Sequence, residues 1–322
     1  MSLAPIGICT YSRIEHLKQT VDALKKNTLA KESELHIFSD GPRAGDEQKV
    51  GLLREYLPHI DGFKKVHLIL QKENDMVKNT YGAHRVLTHQ YGRSIFMEDD
   101  NITSPHFLSF MNEALQKYEL NKQVISIGGY CPPIKIPKNY DHDVFFSKIF
   151  CSWGVGIWDD RLAMIDLERD FCSTAANNRL ANELKYLGKN LNRRFQSLPK
   201  KIITEAETVS KFDILANVTM VKMRLFTVMP CRSLIHNIGL DGSGLRCSSV
   251  DVRLSHEVDL DFVPKCLPDN VILNKKIVEE MYMLQSFSTQ KASLTKLFYL
   301  FLRWLNHEVG KIKYPNTEKR SA

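Results

Sequence analysis

Ser94-Ile95-Phe96-Met97-Glu98-Asp99-Asp100 is the stretch whose reading decides the fold. A short apolar run ends in three carboxylates, and Asn-Ile-Thr-Ser-Pro-His-Phe-Leu follows. This predicts a buried strand with acids at its carboxyl end, then a loop, then a helix opening at Ser104-Pro105. Three adjacent acids repel one another and gain nothing from packing. A hard divalent cation would offset that repulsion, because such ions prefer carboxylate oxygen and keep positions open for phosphates. A solvated acidic turn is the competing explanation for the triplet taken alone.

Upstream, strand and helix signals alternate. Pro5 to Thr10, Leu35 to Ser39 and Val66 to Leu70 read as strands. Ile14, Leu17, Val21 and Leu24 recur at helical spacing, with Ser12 and Glu15 as a predicted capping box. A helix over 46–56 is expected to turn Leu52, Leu53 and Tyr56 inward, and another is expected over 79–90. Downstream, Val124 to Ile127 is a further strand. The alternation predicts an α/β fold with a mostly parallel sheet flanked by helices. Ligands in such folds sit at strand carboxyl ends. Thr10-Tyr11-Ser12-Arg13, Asp40-Gly41 and the acidic triplet all fall there.

The second half is less regular. Phe145 to Phe150 reads as a strand leading into Trp153-Gly-Val-Gly-Ile-Trp158. Helices are expected over 178–195 and within 203–228. Residues 1–250 are taken as the main domain, with a nucleotide-binding half over 1–130 and an acceptor-side half over 131–250. Residues 251–322 are taken as a helical C-terminal extension. Its apolar run of Leu294, Leu297, Phe298, Leu300, Phe301, Trp304 and Leu305 is flanked by Lys and Arg. That pattern suits either a membrane interface or packing on protein.

The chain has 322 residues and a net charge of +7, which suits phosphate-bearing substrates without arguing for nucleic acid. Its seven cysteines are irregularly spaced, with no C-x-x-C pair, and read as buried thiols. No signal peptide or 18-residue apolar stretch is visible, so a cytoplasmic protein is expected, either free or peripheral at the inner membrane face. The P-loop and G-x-G-x-x-G patterns are missing, as are G-x-S-x-G and H-E-x-x-H. A metal–diphosphate site on an α/β sheet without a P-loop points to nucleotide-sugar chemistry.

The order Thr10-Tyr-Ser-Arg13, Ser39-Asp-Gly-Pro42, Phe96-Met-Glu-Asp-Asp100 resembles GT-A fold glycosyltransferases. It is similar to bacterial glycosyltransferase family 2 and to N-acetylglucosaminyltransferase I-like enzymes. Trp153-Gly-Val-Gly-Ile-Trp158 resembles a W-G-x-G-x-W loop of bacterial members. Arg232-Ser-Leu-Ile-His-Asn-Ile-Gly-Leu-Asp-Gly-Ser-Gly244 resembles their S-L-V-x-N-I-G-F-D-G-S-G stretch. The resemblance covers roughly residues 4–247. It implies Mn²⁺ or Mg²⁺ as cofactor, with Asp100 as the direct ligand. It places Asp99 at the ribose or metal, Glu98 at the donor sugar and Asp40 at the base. Thr10, Tyr11 and Arg13 would line the nucleotide pocket. Asp213 takes the position of the base that deprotonates the acceptor, with Glu205 and Glu207 as competitors.

Trp153 and Trp158 are candidates for stacking on sugar, or for the core. Relatives often show T-H-C after D-G-S-G, where this chain has Leu245-Arg-Cys247. His236 and Arg246 are therefore carried as loop candidates for metal and diphosphate, and Gly239, Gly242 and Gly244 as a flexible loop over the donor. The implied function is inverting transfer from a nucleotide sugar, first of all a UDP-sugar, to a glycan or lipid-linked glycan acceptor in surface polysaccharide synthesis. The alternatives are a sugar-phosphate nucleotidyltransferase and a non-catalytic glycan-binding protein.

Overall fold

The computed structural model describes residues 2–165, 211–243 and 258–287. The alternation read from the sequence gives β1 (Ile6–Thr10), α1 (Ile14–Lys25), β2 (Glu34–Ser39), α2 (Glu47–Tyr56), β3 (Lys65–Leu70), α3 (Met76–Tyr91) and β4 (Arg93–Glu98). Then come β5 (Asn101–Thr103), α4 (Phe107–Lys117), β6 (Val124–Gly128), β7 (Val144–Ser147), β8 (Val155–Trp158) and α5 (Asp159–Leu162). Helix α6 (Lys211–Met223), β9 (Phe226–Pro230), β10 (Ile235–Asn237) and α7 (Lys275–Phe287) complete the described elements.

An eight-stranded sheet runs in the order β3-β2-β1-β4-β8-β6-β9-β7, mixed but mostly parallel. Strands β1 to β4 are mutually parallel, while β8 enters antiparallel between β4 and β6. The chain steps outward from β1 to β3 and then returns past β1 to form β4. The gap between the carboxyl ends of β1 and β4 is therefore a topological switch point, where open α/β sheets bind ligands.

Helices cover both faces. Leu17, Val21 and Leu24 of α1, Leu53 of α2 and Phe107, Met111 and Leu115 of α4 share one core with Ile6, Ile8, Leu35, Ile37 and Met97. Tyr81 and Leu87 of α3 and Phe212, Leu215 and Met220 of α6 pack on the other face with Phe38, Phe96 and Ile157. Each such fully buried side chain contributes roughly 1.5–3 kcal/mol. Ile277 and Met281 of α7 seal a third cluster with Cys131, Phe145 and Met229.

Local readings shift in several places. The capping box at Ser12 does not form: Arg13 is the N-cap of α1 and no side chain caps it. Glu15 instead pairs with Lys18 at 2.8 Å. On α2 the inward residues are Val50 and Leu53, whereas Leu52 is 51% exposed. Helix α3 starts three residues earlier than expected, because Asp75 accepts from the Lys78 amide at 2.8 Å and caps it. Ser104-Pro105 precede α4 without capping it; His106 takes that place. The expected helix over 178–195 and the apolar basic run of the extension lie outside the described residues.

Candidate active site

The site is built where β1, β2 and β4 end. Thr10, the last residue of β1, donates its hydroxyl to Asp99 Oδ2 at 2.9 Å. Arg13, at the start of α1, donates through a single nitrogen, Nη2, to both Asp99 Oδ1 and Asp100 Oδ2, the latter at 2.7 Å. Two carboxylates thus converge on one cationic point. Asp99 and Asp100 are only 4% and 5% exposed. Burial pushes the Asp99 carboxyl up, and Arg13 pulls it back only in part.

Asp100 has further donors. Its Oδ1 accepts from Asn101 Nδ2 and from Asn237 Nδ2, both at 2.9 Å. Its carbonyl accepts from the Ile238 amide at 2.9 Å. These contacts exist because β5 and β10 pair as an antiparallel ribbon, with Asn101 opposite Asn237 and Ile102 opposite His236. The region after the triplet, expected as a plain loop, is thus a strand that receives the Asn237-Ile-Gly stretch. Gly239 follows, and a Cβ there would lie 2.0 Å from Asp100 Oδ2 and 2.9 Å from Arg13 Nη1. Gly239 is buried and serves close approach, whereas it was expected in a flexible loop. Gly242, at φ +88°, ends the turn, in which Ser243 donates to Asp241 and holds its carboxyl down at about 2. His16 Nε2 lies 3.1 Å from Asp241 Oδ2 and joins that turn to α1.

A second carboxylate pair sits beside the first. Ser152 Oγ lies 3.4 Å from Glu98 Oε1 and 3.4 Å from Asp213 Oδ2. Asp213 is in the first turn of α6. Asn217, one turn on, accepts from the Phe150 amide at 3.0 Å and donates to the Asp213 carbonyl at 2.6 Å. This ties the loop carrying Ser152 to the helix carrying Asp213. Burial and then the Asp213 and Glu98 charges push the Cys151 thiol well up. The Cys9 thiol is raised likewise, chiefly by burial. Both stay protonated and are poor nucleophiles.

Asp40 ends up as an organiser. Its Oδ1 accepts from the Gly41 and Asp75 amides, each at 2.9 Å, and its Oδ2 from Asn74 Nδ2 at 3.1 Å. Gly41 is pressed so close to Glu73 that a Cβ would sit 2.3 Å from that residue's carbonyl carbon. Arg54 Nη2 donates to the carbonyls of Ser39, Asp40 and Gln71 and clamps the ends of β2 and β3. Tyr11 donates to Asp46 at 2.8 Å and accepts from the Arg43 amide at 3.0 Å on the same edge.

Thr10, Arg13, Glu98, Asp99, Asp100 and Asp213 are therefore brought together, with Tyr11 and Asp40 along the rim. Trp153 is half-buried, edge-on to Tyr130 at 4.8 Å. Trp158 is elsewhere: β8 runs antiparallel, so Trp158 faces Arg93 at the start of β4. It is 2% exposed with Arg161 over its ring at 4.6 Å, a core residue with no face for sugar. His236 is half-buried, and strand alternation turns it to the side of the ribbon opposite Asn237. Arg246, Glu205 and Glu207 lie outside the described residues. No sequence motif marks Ser152, Asn101 or His16, and the Asn237-Ile-Gly stretch gives Asn237 no role of its own. Only long-range pairing shows their roles: Asn237 and Asp100 are 137 residues apart.

No family model and no curated protein sequence matches the chain. Among solved structures it is similar to the mannosyltransferase PcManGT from Pyrobaculum calidifontis in complex with GDP-Man and Mn²⁺, at 11% identity and a TM-score of 0.34. That match covers 68% of this chain and 69% of the other. It is also similar to S. aureus TarS, at 12% identity and a TM-score of 0.33, over 66% of this chain and 41% of TarS.

Proposed function

We propose that this protein is a glycosyltransferase of GT-A type that moves a sugar from a nucleotide-diphosphate donor to a hydroxyl acceptor with inversion. The observation that carries this is the convergence of Asp99 and Asp100 on one positive point at the switch between β1 and β4. Such a pair would suit one hard dication, because these ions prefer carboxylate oxygen. Arg13 Nη2 stands in for that charge. Asp100 would be the direct ligand and Asp99 its support, and Arg13 would turn to the diphosphate. A bound Mn²⁺ or Mg²⁺ supplies charge that stabilises the leaving diphosphate.

The protein's own groups do the rest. Asp213 accepts the acceptor hydroxyl's proton as that oxygen bonds to the anomeric carbon. The bond from that carbon to the diphosphate oxygen breaks, and its electrons leave with the nucleotide. Ser152 lies between Asp213 and Glu98 and can donate its one hydroxyl proton to either carboxylate. Glu98 faces the donor sugar. Asp40 sets the rim at which the base binds. We assign a UDP-sugar as donor and a glycan or lipid-linked glycan as acceptor, from the sequence resemblance.

The test is product analysis with UDP-, GDP- and CDP-sugars and Mn²⁺. Release of nucleoside diphosphate from one of them supports glycosyl transfer. Release of pyrophosphate from a nucleoside triphosphate and a sugar phosphate would replace it with nucleotidyl transfer.

A further inference from the structure

At the other end of β2, away from the acidic edge, Glu34 and His36 occupy alternate positions and so share one face of the sheet. On the edge strand β3, His67 is paired in register with His36. One ligand atom from each of Glu34, His36 and His67 lies within 4.8 Å of the others, the one such trio among the described residues. His67 Nε2 is 3.2 Å from Glu34 Oε2. That is already near the roughly 3.3 Å between two ligand atoms of a tetrahedral zinc ion. Tyr91, the last residue of α3, sets its hydroxyl 3.2 Å from Glu34 Oε2 and 3.4 Å from His36 Nε2. It thereby steadies the carboxylate and the inner imidazole.

His36 is 6% exposed, and its neutral imidazole has a lone pair to offer. The two rings stack at 4.1 Å and 6° from parallel. An ion can lie in the plane of both only if one ring turns. His67, on the open edge with its side chain 26% exposed, has room to do so. Lys64 reaches only the other oxygen, Glu34 Oε1, at 3.4 Å.

We propose that Glu34, His36 and His67 form a binding site for a zinc-class dication that cross-links β2 to the edge strand β3. Two imidazoles and one carboxylate suit such borderline ions better than Mg²⁺. The site lies roughly 17 Å along β2 from Asp40. It is thus separate from the acidic edge and independent of the donor chemistry assigned there.

The experiment is equilibrium dialysis of the full chain against Zn²⁺ in excess Mg²⁺, with metal analysis and thermal melts. We expect one Zn²⁺ per chain and a raised melting temperature. Affinity should fall at least about tenfold in both His67→Ala and Glu34→Gln and stay unchanged in Asp100→Asn. Co²⁺ should give the visible bands of a tetrahedral nitrogen–oxygen site. The metal-free melts of the variants should match wild type, which separates ligand loss from misfolding. Equal Zn²⁺ binding by wild type and His67→Ala, less than one ion per chain, or loss in Asp100→Asn would each overturn the site.

Discussion

Arg13 is the residue on which the acidic edge turns. Two buried carboxylates against one guanidinium leave a net negative cradle with polar walls from Thr10, Asn101 and Asn237. Such an arrangement weakens the fold locally and strengthens cation binding. The division of labour between the two carboxylate pairs has a kinetic consequence. Asp213→Asn removes the proton acceptor but leaves the Arg13–Asp99–Asp100 cluster intact. Turnover should fall by about 10²–10⁴-fold with donor affinity within about twofold of wild type. Steady-state kinetics beside donor calorimetry would show it. A parallel loss of donor binding would place Asp213 in the donor pocket instead.

At the scale of elements, the β5–β10 ribbon is the part that makes the site. It delivers Asn237 and Gly239 to Asp100, Asn237 from 137 residues downstream. Gly239→Ala puts a methyl where Asp100 Oδ2 now sits, so the carboxylate has to move. We expect metal-dependent nucleotide binding to be lost, with stability reduced by about 1–3 kcal/mol. Calorimetry and chemical denaturation measure the two effects. Wild-type binding in Gly239→Ala would show that the close approach is dispensable.

The β1-to-β4 alternation was legible in the sequence because each strand is a run of apolar residues and each polar cluster sits where a strand must end. The ribbon was not legible. Its strands have three residues each, too short for periodicity, and its register is set by contacts far apart in sequence. The same reason hid the bridging role of Ser152. Trp158 was ambiguous because a Gly/Trp loop reads alike whichever way its strand runs. Its antiparallel entry decides the matter.

Across the whole molecule, two buried imidazoles couple folding to acidity. His84 is stacked between Phe96 at 3.8 Å and Phe212 at 4.6 Å, and burial pushes it down to about 3. His36 is pushed down to about 4. The unfolded chain takes up protons on both before the folded chain does. Their contribution is thus fully present above about pH 6.5 and is lost as pH falls toward these depressed values. Asp99, raised by burial, acts in the opposite sense and softens the loss. His84→Phe should flatten the dependence of melting temperature on pH between about 6.5 and 4, leaving the part due to His36. An unchanged slope would mean that His84 does not carry it.

In the proposed reaction the acidic edge holds a nucleotide diphosphate through a divalent cation. Calorimetric titration of UDP and GDP into the full chain, with and without Mn²⁺, in wild type and Asp100→Asn, tests it most directly. Binding of one nucleotide that requires Mn²⁺ and disappears in Asp100→Asn is the expected result. Metal-independent binding, or binding unchanged in Asp100→Asn, would contradict it.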